Sequence, residues 1–223
     1  MIADILPDAV ASAEAFGDPP EAALFPAEEA LIARAVRKRR AEFATGRLCA
    51  RNALGALGLK PAPILPGQNG APQWPSGVVG SITHCAGYRA AAVARAREVV
   101  TIGLDAEPAQ PLPGGVLGLV TRPDERDRLC ELARDAPGVC WDRLLFSAKE
   151  SVYKAWFPLA RRWLGFDDAD ITIDAANGTF QARLLTAPPA PAGVPPAGVP
   201  PAGFSGRWMA RDGLLLTAIT VLA

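Results

Sequence analysis

The chain has 223 residues, of which 50% are hydrophobic and 21% charged, so it carries enough apolar material for one large or two small folded domains. Its 23 basic and 23 acidic residues give a formal net charge of zero, which argues against a general nucleic-acid-binding protein because such proteins are normally basic. Asp4 and Asp8 near the start, and the absence of a long apolar run, lead us to expect neither a signal peptide nor a membrane-spanning helix. We expect a cytoplasmic protein whose four cysteines, which lack CxxC spacing, stay reduced.

The first half of the chain predicts a helical segment followed by strands. Pro26, followed by Glu28 and Glu29, marks the helix start, because proline fits a first turn and acids favour the positive end of the helix dipole. The helical pattern continues, with a break, to Leu57, and Gly58 is the expected C-terminal cap. Three strands are predicted at residues 78–83, 90–94 and 99–104, the first two joined by a turn at Ala86 and Gly87.

The second half predicts one long helix and two hairpins. A connection rich in proline and glycine, residues 108–118, leads to a helix that contains Glu150, and Pro158 is expected to end or bend it. Strands then flank Asn177-Gly178 and Asp212-Gly213, both of which are typical of tight hairpin turns.

The repeat-containing stretch from Pro188 to Gly203 predicts neither helix nor central strand, so we interpret it as an extended surface excursion between two strands. Because each half of the chain contains a helix followed by antiparallel strands, we predict an α+β fold of two similar lobes. The acidic residues described next are expected near the lobe junction.

The segment from Phe146 to Trp156 predicts a helix with an unusual polar face. Ser147, Glu150 and Lys154 lie three and four residues apart, so they share one face, opposite a buried apolar stripe. One interpretation is a solvated ion pair of Glu150 with Lys154. The alternative is a functional site, and it gains weight from a second acidic motif upstream.

In that motif, Asp105 and Glu107 follow the apolar run at residues 99–102, which predicts a strand. Residues two apart in an extended backbone point to the same side, so the two carboxylates converge and repel without a counter-ion. A hard divalent cation is the usual remedy, and Glu150 is a candidate for a third ligand. The alternative interpretation is a polar loop that follows a strand.

Three motifs together resemble a known family. The runs Gly80-Ser-Ile-Thr-His-Cys85, Ile102-Gly-Leu-Asp-Ala-Glu107 and Phe146-Ser-Ala-Lys-Glu-Ser-Val-Tyr-Lys154 occur in this order. The sequence is similar to 4′-phosphopantetheinyl transferases of the Sfp/EntD type, from about Glu28 to the C-terminus. The run from Trp156 to Phe166 also resembles the subgroup that serves siderophore, polyketide and lipid synthases.

The resemblance implies a fold of two lobes related by a pseudo-twofold axis. Residues 1–103 would form the N-terminal lobe with the coenzyme A phosphate contacts, and residues 104–223 the C-terminal lobe with the metal ligands and the catalytic helix. The implied reaction transfers 4′-phosphopantetheine from coenzyme A to a serine of an apo acyl or peptidyl carrier protein and releases adenosine 3′,5′-bisphosphate. A monomer with no nucleic-acid or membrane partner is expected.

The resemblance also assigns the acidic and lysine residues. Asp105, Glu107 and Glu150 match the ligands of Mg²⁺, for which Mn²⁺ is a substitute. Glu150 and Lys154 are the catalytic residues: Glu150 helps to deprotonate the serine, directly or through water, and Lys154 contacts the pyrophosphate. Lys149 is a further coenzyme A-binding candidate, although it points elsewhere on the helix.

Cations for the 3′-phosphate of coenzyme A are expected in the N-terminal lobe. His84 is the only histidine, and it matches the phosphate-contacting histidine of the family, with Ser81 as a secondary candidate. The alternative for His84 is a packed structural residue. Arg47 matches the family pattern best and Arg39 is its companion, since arginine suits forked phosphate contacts.

One departure and two rival functions remain open. Many relatives have a lysine in a Gly-Lys-Pro turn where this chain has Ala71, so another contact must replace it. A metal-dependent nuclease would also use acidic residues with a nearby lysine, but that lysine would fall at Ala109. A catalytically dead carrier-binding module would be expected to lose the acidic residues, and all three are present.

Overall fold

The computed structural model describes residues 1–186 and 201–223. The helices are α1 (Pro26–Ile32), α2 (Arg37–Ala56), α3 (Leu117–Val120), α4 (Pro123–Asp135) and α5 (Trp141–Ala160). The strands are β1 (Ala11–Phe16), β2 (Val78–Cys85), β3 (Tyr88–Arg95), β4 (Val99–Pro108), β5 (Ala169–Asp174), β6 (Thr179–Leu184), β7 (Gly203–Arg211) and β8 (Leu214–Leu222). Among these helices, none combines the length and the apolar character needed to cross a membrane.

The strands form two antiparallel sheets. A three-stranded sheet has the order β1-β3-β2, and a five-stranded sheet has the order β4-β8-β7-β6-β5. The 20-residue helix α2 packs on the first sheet, and the 20-residue helix α5 packs on the second. The predicted α+β class is therefore confirmed. The proposed division between residues 103 and 104 falls inside β4, which pairs with β8 along both sides of that position.

The two sheets also pack against each other. On β3, Ala90, Ala92 and Ala94 face a central core, whereas Ala91 and Val93 face α2. Successive side chains on a strand point to opposite faces, so β3 is buried on both sides. Residues from the N-terminal segment, β4 and β8 complete the central core. The lobes thus share a hydrophobic core in addition to their own.

Strand β4 separates the central core from helix α5. Ile102 and Leu104 are buried in the central core, while the alternate residues face α5. The Thr101 hydroxyl donates to the Ala155 carbonyl at 2.8 Å, and Gly103 lies so close to α5 that a Cβ there would meet the Ser151 carbonyl oxygen at 2.0 Å. This close approach brings the residues of α5 alongside Asp105.

A buried carboxylate fastens the N-terminal lobe. Glu28 is fully buried and follows Pro26, the first residue of α1. Its Oε2 accepts the Phe25 N–H at 2.9 Å and an Arg51 N–H at 3.1 Å, and its Oε1 accepts the Ile64 N–H at 2.8 Å. The carboxylate therefore caps α1 and ties it both to α2 and to the segment around Ile64.

The C-terminal lobe has the same arrangement around Glu125, with a lysine in place of the arginine. Glu125 is fully buried and follows Pro123, the first residue of α4. Its Oε2 accepts the Arg122 N–H at 2.8 Å and the Lys149 ammonium at 2.7 Å, and its Oε1 accepts the Ile171 N–H at 2.8 Å. Glu28 therefore joins α1 to α2, and Glu125 joins α4 to α5, as expected for two similar lobes.

The predicted turns are confirmed. Gly58 follows α2 with a φ of +73°, and the Leu59 N–H returns to the Leu54 carbonyl at 3.1 Å, which is a Schellman-type ending. Asp212 and Gly213 both have positive φ, as a two-residue hairpin turn requires. The hairpin of β5 and β6 encloses Asn177-Gly178 as predicted.

Other predictions about the elements were wrong or incomplete. The connection that begins at Pro108 does not lead directly to α5, because α3 and α4 lie between them, and α4 starts at a proline in the first turn. Helix α5 does not end at Pro158: it continues to Ala160 and stops at Arg161, which has a φ of +53°. Strand β1 had no counterpart in the sequence prediction. The surface excursion predicted at residues 188–203 lies almost entirely outside the described residues.

Candidate active site

A cavity of about 710 Å³ lies where the lobes meet. Its N-terminal wall is the loop of residues 67–74 with the first half of β2, and its C-terminal wall is the second half of α5. Glu150 and Lys154 line it from α5, and Ser81 lines it from β2. The structure thus brings three of the sequence-predicted residues to one cavity.

Asp105 lies beside this cavity with one oxygen occupied and one free. Its position inside β4, rather than in a loop after it, holds the side chain on the face of α5. Oδ1 accepts the Lys154 ammonium at 2.7 Å and the Thr83 hydroxyl at 3.4 Å. Oδ2 is buried and has no hydrogen-bond partner in the part of the chain that the structure describes. An orphaned carboxylate oxygen is costly, so it marks a place for a ligand.

The other two acids are electrostatically coupled to Asp105. Burial and then the charge of Asp105 raise the pKa of Glu107, although Arg143 opposes the shift with a contact of 2.9 Å to Oε2. Burial and then the charge of Asp105 likewise raise the pKa of Glu150, although Lys154 opposes it. The charge of Asp105 therefore destabilises the charged forms of Glu107 and Glu150, and Arg143 and Lys154 only partly offset this effect.

The chemistry of these donors fits a hard divalent cation. Mg²⁺ prefers carboxylate oxygens, and the orphaned Oδ2 of Asp105 is such a donor with nothing bound to it among the described residues. The described side chains do not, however, form a ready cluster of three metal-binding groups. Instead, Lys154 pairs with one oxygen of Asp105, and Arg143 pairs with one oxygen of Glu107.

His84 and Arg39 form a pair at the far end of β2. The Arg39 Nη1 lies 3.0 Å from the His84 Nε2, and both side chains are exposed to solvent. Because arginine can only donate, Nε2 is the acceptor in this contact, and the tautomer that accepts it carries its proton on Nδ1. Loss of surrounding water and then the charge of Arg39 lower the pKa of His84, which agrees with this assignment.

Arg47 and Ser81 are more enclosed than their predicted roles imply. Arg47 is buried: its Nε donates to the Ile64 carbonyl at 2.7 Å, its guanidinium lies 4.1 Å from the Phe43 ring centre, and burial lowers its pKa to about 10. The Ser81 Oγ accepts the Leu104 N–H at 3.1 Å and so joins β2 to β4. The structure brings Arg39, rather than Arg47, beside His84.

Lys149 does not present its ammonium to the junction cavity. It is buried, with Nζ on the Glu125 carboxylate at 2.7 Å and on the Phe166 carbonyl at 2.8 Å. Both contacts hold the C-terminal lobe together, and the coenzyme A-binding role of Lys149 stays a prediction. It forms one wall of a second cavity of about 260 Å³ that reaches Glu150 and Trp163.

Sequence reasoning missed three residues of this region. Arg143 and Thr83 contact the acidic residues but are 36 and 22 positions from them in the chain, and no local pattern announces such pairs. Glu125 was detectable, because Pro123-x-Glu125 repeats the pattern of Pro26-x-Glu28 at the start of the other lobe.

Comparison with known proteins agrees with this geometry. Residues 27–94 match the 4′-phosphopantetheinyl transferase N-terminal domain, and residues 101–193 match the 4′-phosphopantetheinyl transferase superfamily. The 4′-phosphopantetheinyl transferase Svp of Streptomyces mobaraensis is 55% identical over 226 residues, which cover 100% of this chain and 90% of the relative. The transferase PptT of Mycobacterium tuberculosis is 48% identical over 230 residues, which cover 99% and 98%. Enterobactin synthase component D of Salmonella typhi is 39% identical over 138 residues, 61% of this chain and 56% of the relative.

Two α+β lobes with an acidic site at their junction define the class of protein, and the comparisons define its family. The chain belongs to the 4′-phosphopantetheinyl transferase superfamily and is an enzyme of that kind. The predicted family resemblance is confirmed.

Proposed function

We propose that the enzyme transfers 4′-phosphopantetheine from coenzyme A to a serine of an apo acyl or peptidyl carrier protein, with Mg²⁺ or Mn²⁺, and releases adenosine 3′,5′-bisphosphate. The observation that carries the proposal is the orphaned Oδ2 of Asp105, next to Lys154 and Glu150 at a cavity between the lobes. A pyrophosphate with its counter-cation needs such a mixture of free carboxylate oxygens and a lysine.

Coenzyme A would be held at two charged points. Arg39 supplies one positive charge for the 3′-phosphate, and His84 supplies a neutral N–H donor. Together they replace the lysine that many relatives have at the position of Ala71. Lys154, whose side chain is partly exposed, supplies the cation for the pyrophosphate. Arg47 supports this surface from behind through Ile64, and Ser81 joins β2 to β4 at the wall of the cavity.

The reaction exchanges one phosphorus–oxygen bond for another. The carrier serine Oγ bonds to the phosphorus that bears pantetheine, the bond from that phosphorus to the bridging oxygen breaks, and the electron pair leaves on adenosine 3′,5′-bisphosphate. Glu150 accepts the serine proton, directly or through a water.

Asp105, Glu107 and Glu150 would hold the divalent cation. When bound, the cation neutralises charge on the pyrophosphate oxygens. Lys154 must then share Asp105 with the cation or turn towards the phosphates, and its 2.7 Å contact with Oδ1 leaves Oδ2 free for the metal.

The carrier partners proposed here are those of siderophore, polyketide and lipid synthases. The similarity to enterobactin synthase component D supports the siderophore part of this proposal. We further propose that the enzyme acts in the cytoplasm as a monomer, with no nucleic-acid or membrane partner.

The test measures the mass increase of an apo carrier protein incubated with coenzyme A and Mg²⁺. Asp105→Asn and Glu107→Gln should nearly abolish transfer, and Glu150→Gln should slow it by about 10²–10⁴-fold, as loss of a general base does. Asp170→Asn, which removes a carboxylate paired with Arg128 and Arg183 away from the cavity, is the control and should keep its rate. No mass increase with the wild-type enzyme on any of a panel of apo carriers would refute the proposal.

A further inference from the structure

Arg143 gathers three neighbours with three different nitrogen atoms. It lies in the first turn of α5, and its side chain is only 16% exposed. Nη1 donates to Glu107 Oε2 at 2.9 Å, Nε donates to the Gln110 carbonyl at 3.0 Å, and Nη2 donates to the Pro111 carbonyl at 2.8 Å. The three hydrogen bonds of this guanidinium therefore hold the end of β4 and the start of the following segment together.

The pairing of Glu107 resembles that of Asp105 in one respect, which is that a cation holds only one of its two oxygens. In each carboxylate, a cation from α5 occupies one oxygen: Lys154 occupies Asp105 Oδ1, and Arg143 occupies Glu107 Oε2. No hydrogen bond to Glu107 Oε1 occurs among the described residues. A carboxylate that is anchored through one oxygen presents the other in a fixed direction, which is how hydrogen-bonded neighbours orient metal ligands.

We propose that Arg143 is the positioning residue of Glu107: it holds Oε2 so that Oε1 is presented to a divalent cation, and it ties this ligand to the segment after β4. The proposal rests on the metal site proposed above. Asp142 reinforces the tie from the same turn of α5, because its Oδ2 accepts the Leu112 N–H at 2.8 Å. Metal binding at Glu107 should therefore also order residues 109–116.

Arginine is required for both parts of this role. A lysine ammonium can pair with Glu107, but it is a point charge without the planar fork that reaches Glu107 and two backbone carbonyls together. Arg143→Lys should thus keep part of the orientation of Glu107 and lose the tie to Gln110 and Pro111. Arg143→Ala should lose both.

The first measurement is Mn²⁺ binding to the purified enzyme, followed by electron paramagnetic resonance in the absence of coenzyme A and carrier. Arg143→Ala should weaken Mn²⁺ binding by about ten- to hundredfold, the usual effect of removing a group that orients a metal ligand. Arg143→Lys should lie between Arg143→Ala and wild type. Arg128→Ala is the matched control, since Arg128 also binds a carboxylate and a carbonyl, those of Asp170 and Ile171, on another face.

The second measurement is hydrogen–deuterium exchange of residues 109–116 with and without Mn²⁺. The metal should increase protection in wild type and in Arg128→Ala, but not in Arg143→Ala or Arg143→Lys. Equal or tighter Mn²⁺ binding by Arg143→Ala would overturn the proposal, and so would metal-dependent protection in Arg143→Lys equal to that of wild type. If Arg143→Ala does not fold, hydrogen–deuterium exchange of Arg143→Lys tests the proposal instead. A wild-type enzyme that binds no Mn²⁺ would instead refute the metal site itself.

Discussion

At the scale of single residues, the two arginines predicted to contact the 3′-phosphate, Arg39 and Arg47, differ in their surroundings. Arg39 is exposed and, in the part of the chain that the structure describes, contacts His84 and Glu42 through Nη1. Arg47, by contrast, is buried and donates its Nε–H to a backbone carbonyl. A group that is already desolvated and bonded inside a lobe is a structural element, while an exposed pair of donors can receive a phosphate. The family resemblance favoured Arg47, and the exposure of Arg39 beside His84 leads us to propose Arg39 for the phosphate contact.

This difference predicts separate effects on coenzyme A binding. Arg39→Gln and His84→Ala should weaken binding of coenzyme A by about tenfold to a hundredfold, because a charge-assisted contact contributes about 1.5–3 kcal/mol. Dephospho-coenzyme A lacks the 3′-phosphate, so its affinity should change far less. Isothermal titration calorimetry with both ligands makes the comparison.

Arg47→Ala is the informative control for this pair. It should lower the melting temperature and affect both ligands alike, because its contacts are with Ile64 and Phe43. If Arg39→Gln loses the same free energy with both ligands, Arg39 does not contact the 3′-phosphate.

At the scale of elements, the site depends on how closely α5 approaches β4. Asp105 and Lys154 come from these two elements, and Gly103 is the point of closest packing between them. A side chain at this position would meet backbone atoms of Ser151 and Ala155 rather than a movable side chain. Only glycine therefore permits the distance at which the ion pair forms.

Gly103→Ala is predicted to destabilise the enzyme strongly and to reduce transfer in the molecules that remain folded. A Cβ would lie 2.0 Å from the Ser151 carbonyl oxygen, so the helix must move away from the strand. Gly55→Ala is the control: a Cβ there meets nothing within 4 Å, and alanine within a helix should stabilise by up to about 1 kcal/mol. Urea unfolding measures both, and unchanged stability of Gly103→Ala would contradict this description of the packing.

At the scale of the whole molecule, the lobes are joined by a shared core. Alternate residues of β3 and β4 pack between the two sheets, and Leu104 in this core is fully buried. The junction cavity and the acidic site lie beside this shared core, so their geometry requires both lobes. A domain whose lobes share a core is expected to unfold as one cooperative unit.

Leu104→Ala should therefore loosen both lobes together. Removal of a buried leucine side chain costs about 2–5 kcal/mol, and here the loss should appear equally in α2 and α5. Native-state hydrogen exchange of the two helices measures this, with the exposed Leu31→Ala as the control that should change neither. A loss of protection confined to one helix would show that the lobes unfold independently.

The sequence by itself determined the local structure and the family. Hydrophobic period, capping residues and turn dipeptides predicted α2, α5 and the hairpins because these features depend on neighbours within a few residues. The alternation of β4 also predicted that Asp105 and Glu107 share a face. Strand β1 and helix α3 were not predicted because their short patterns gave no such local signal. Helix α4 was also not predicted, although Pro123-x-Glu125 marks its start.

Only the tertiary structure decided which charge meets which. Lys154 reaches Asp105 across 49 positions of the chain, and Arg143 reaches Glu107 across 36. Lys149 precedes Glu150 directly, yet it turns to Glu125 inside the lobe. Local periodicity determines the face of an element on which a side chain lies. The partner of that side chain depends on how distant elements pack together. Here the shared core and the close contact at Gly103 determine this packing.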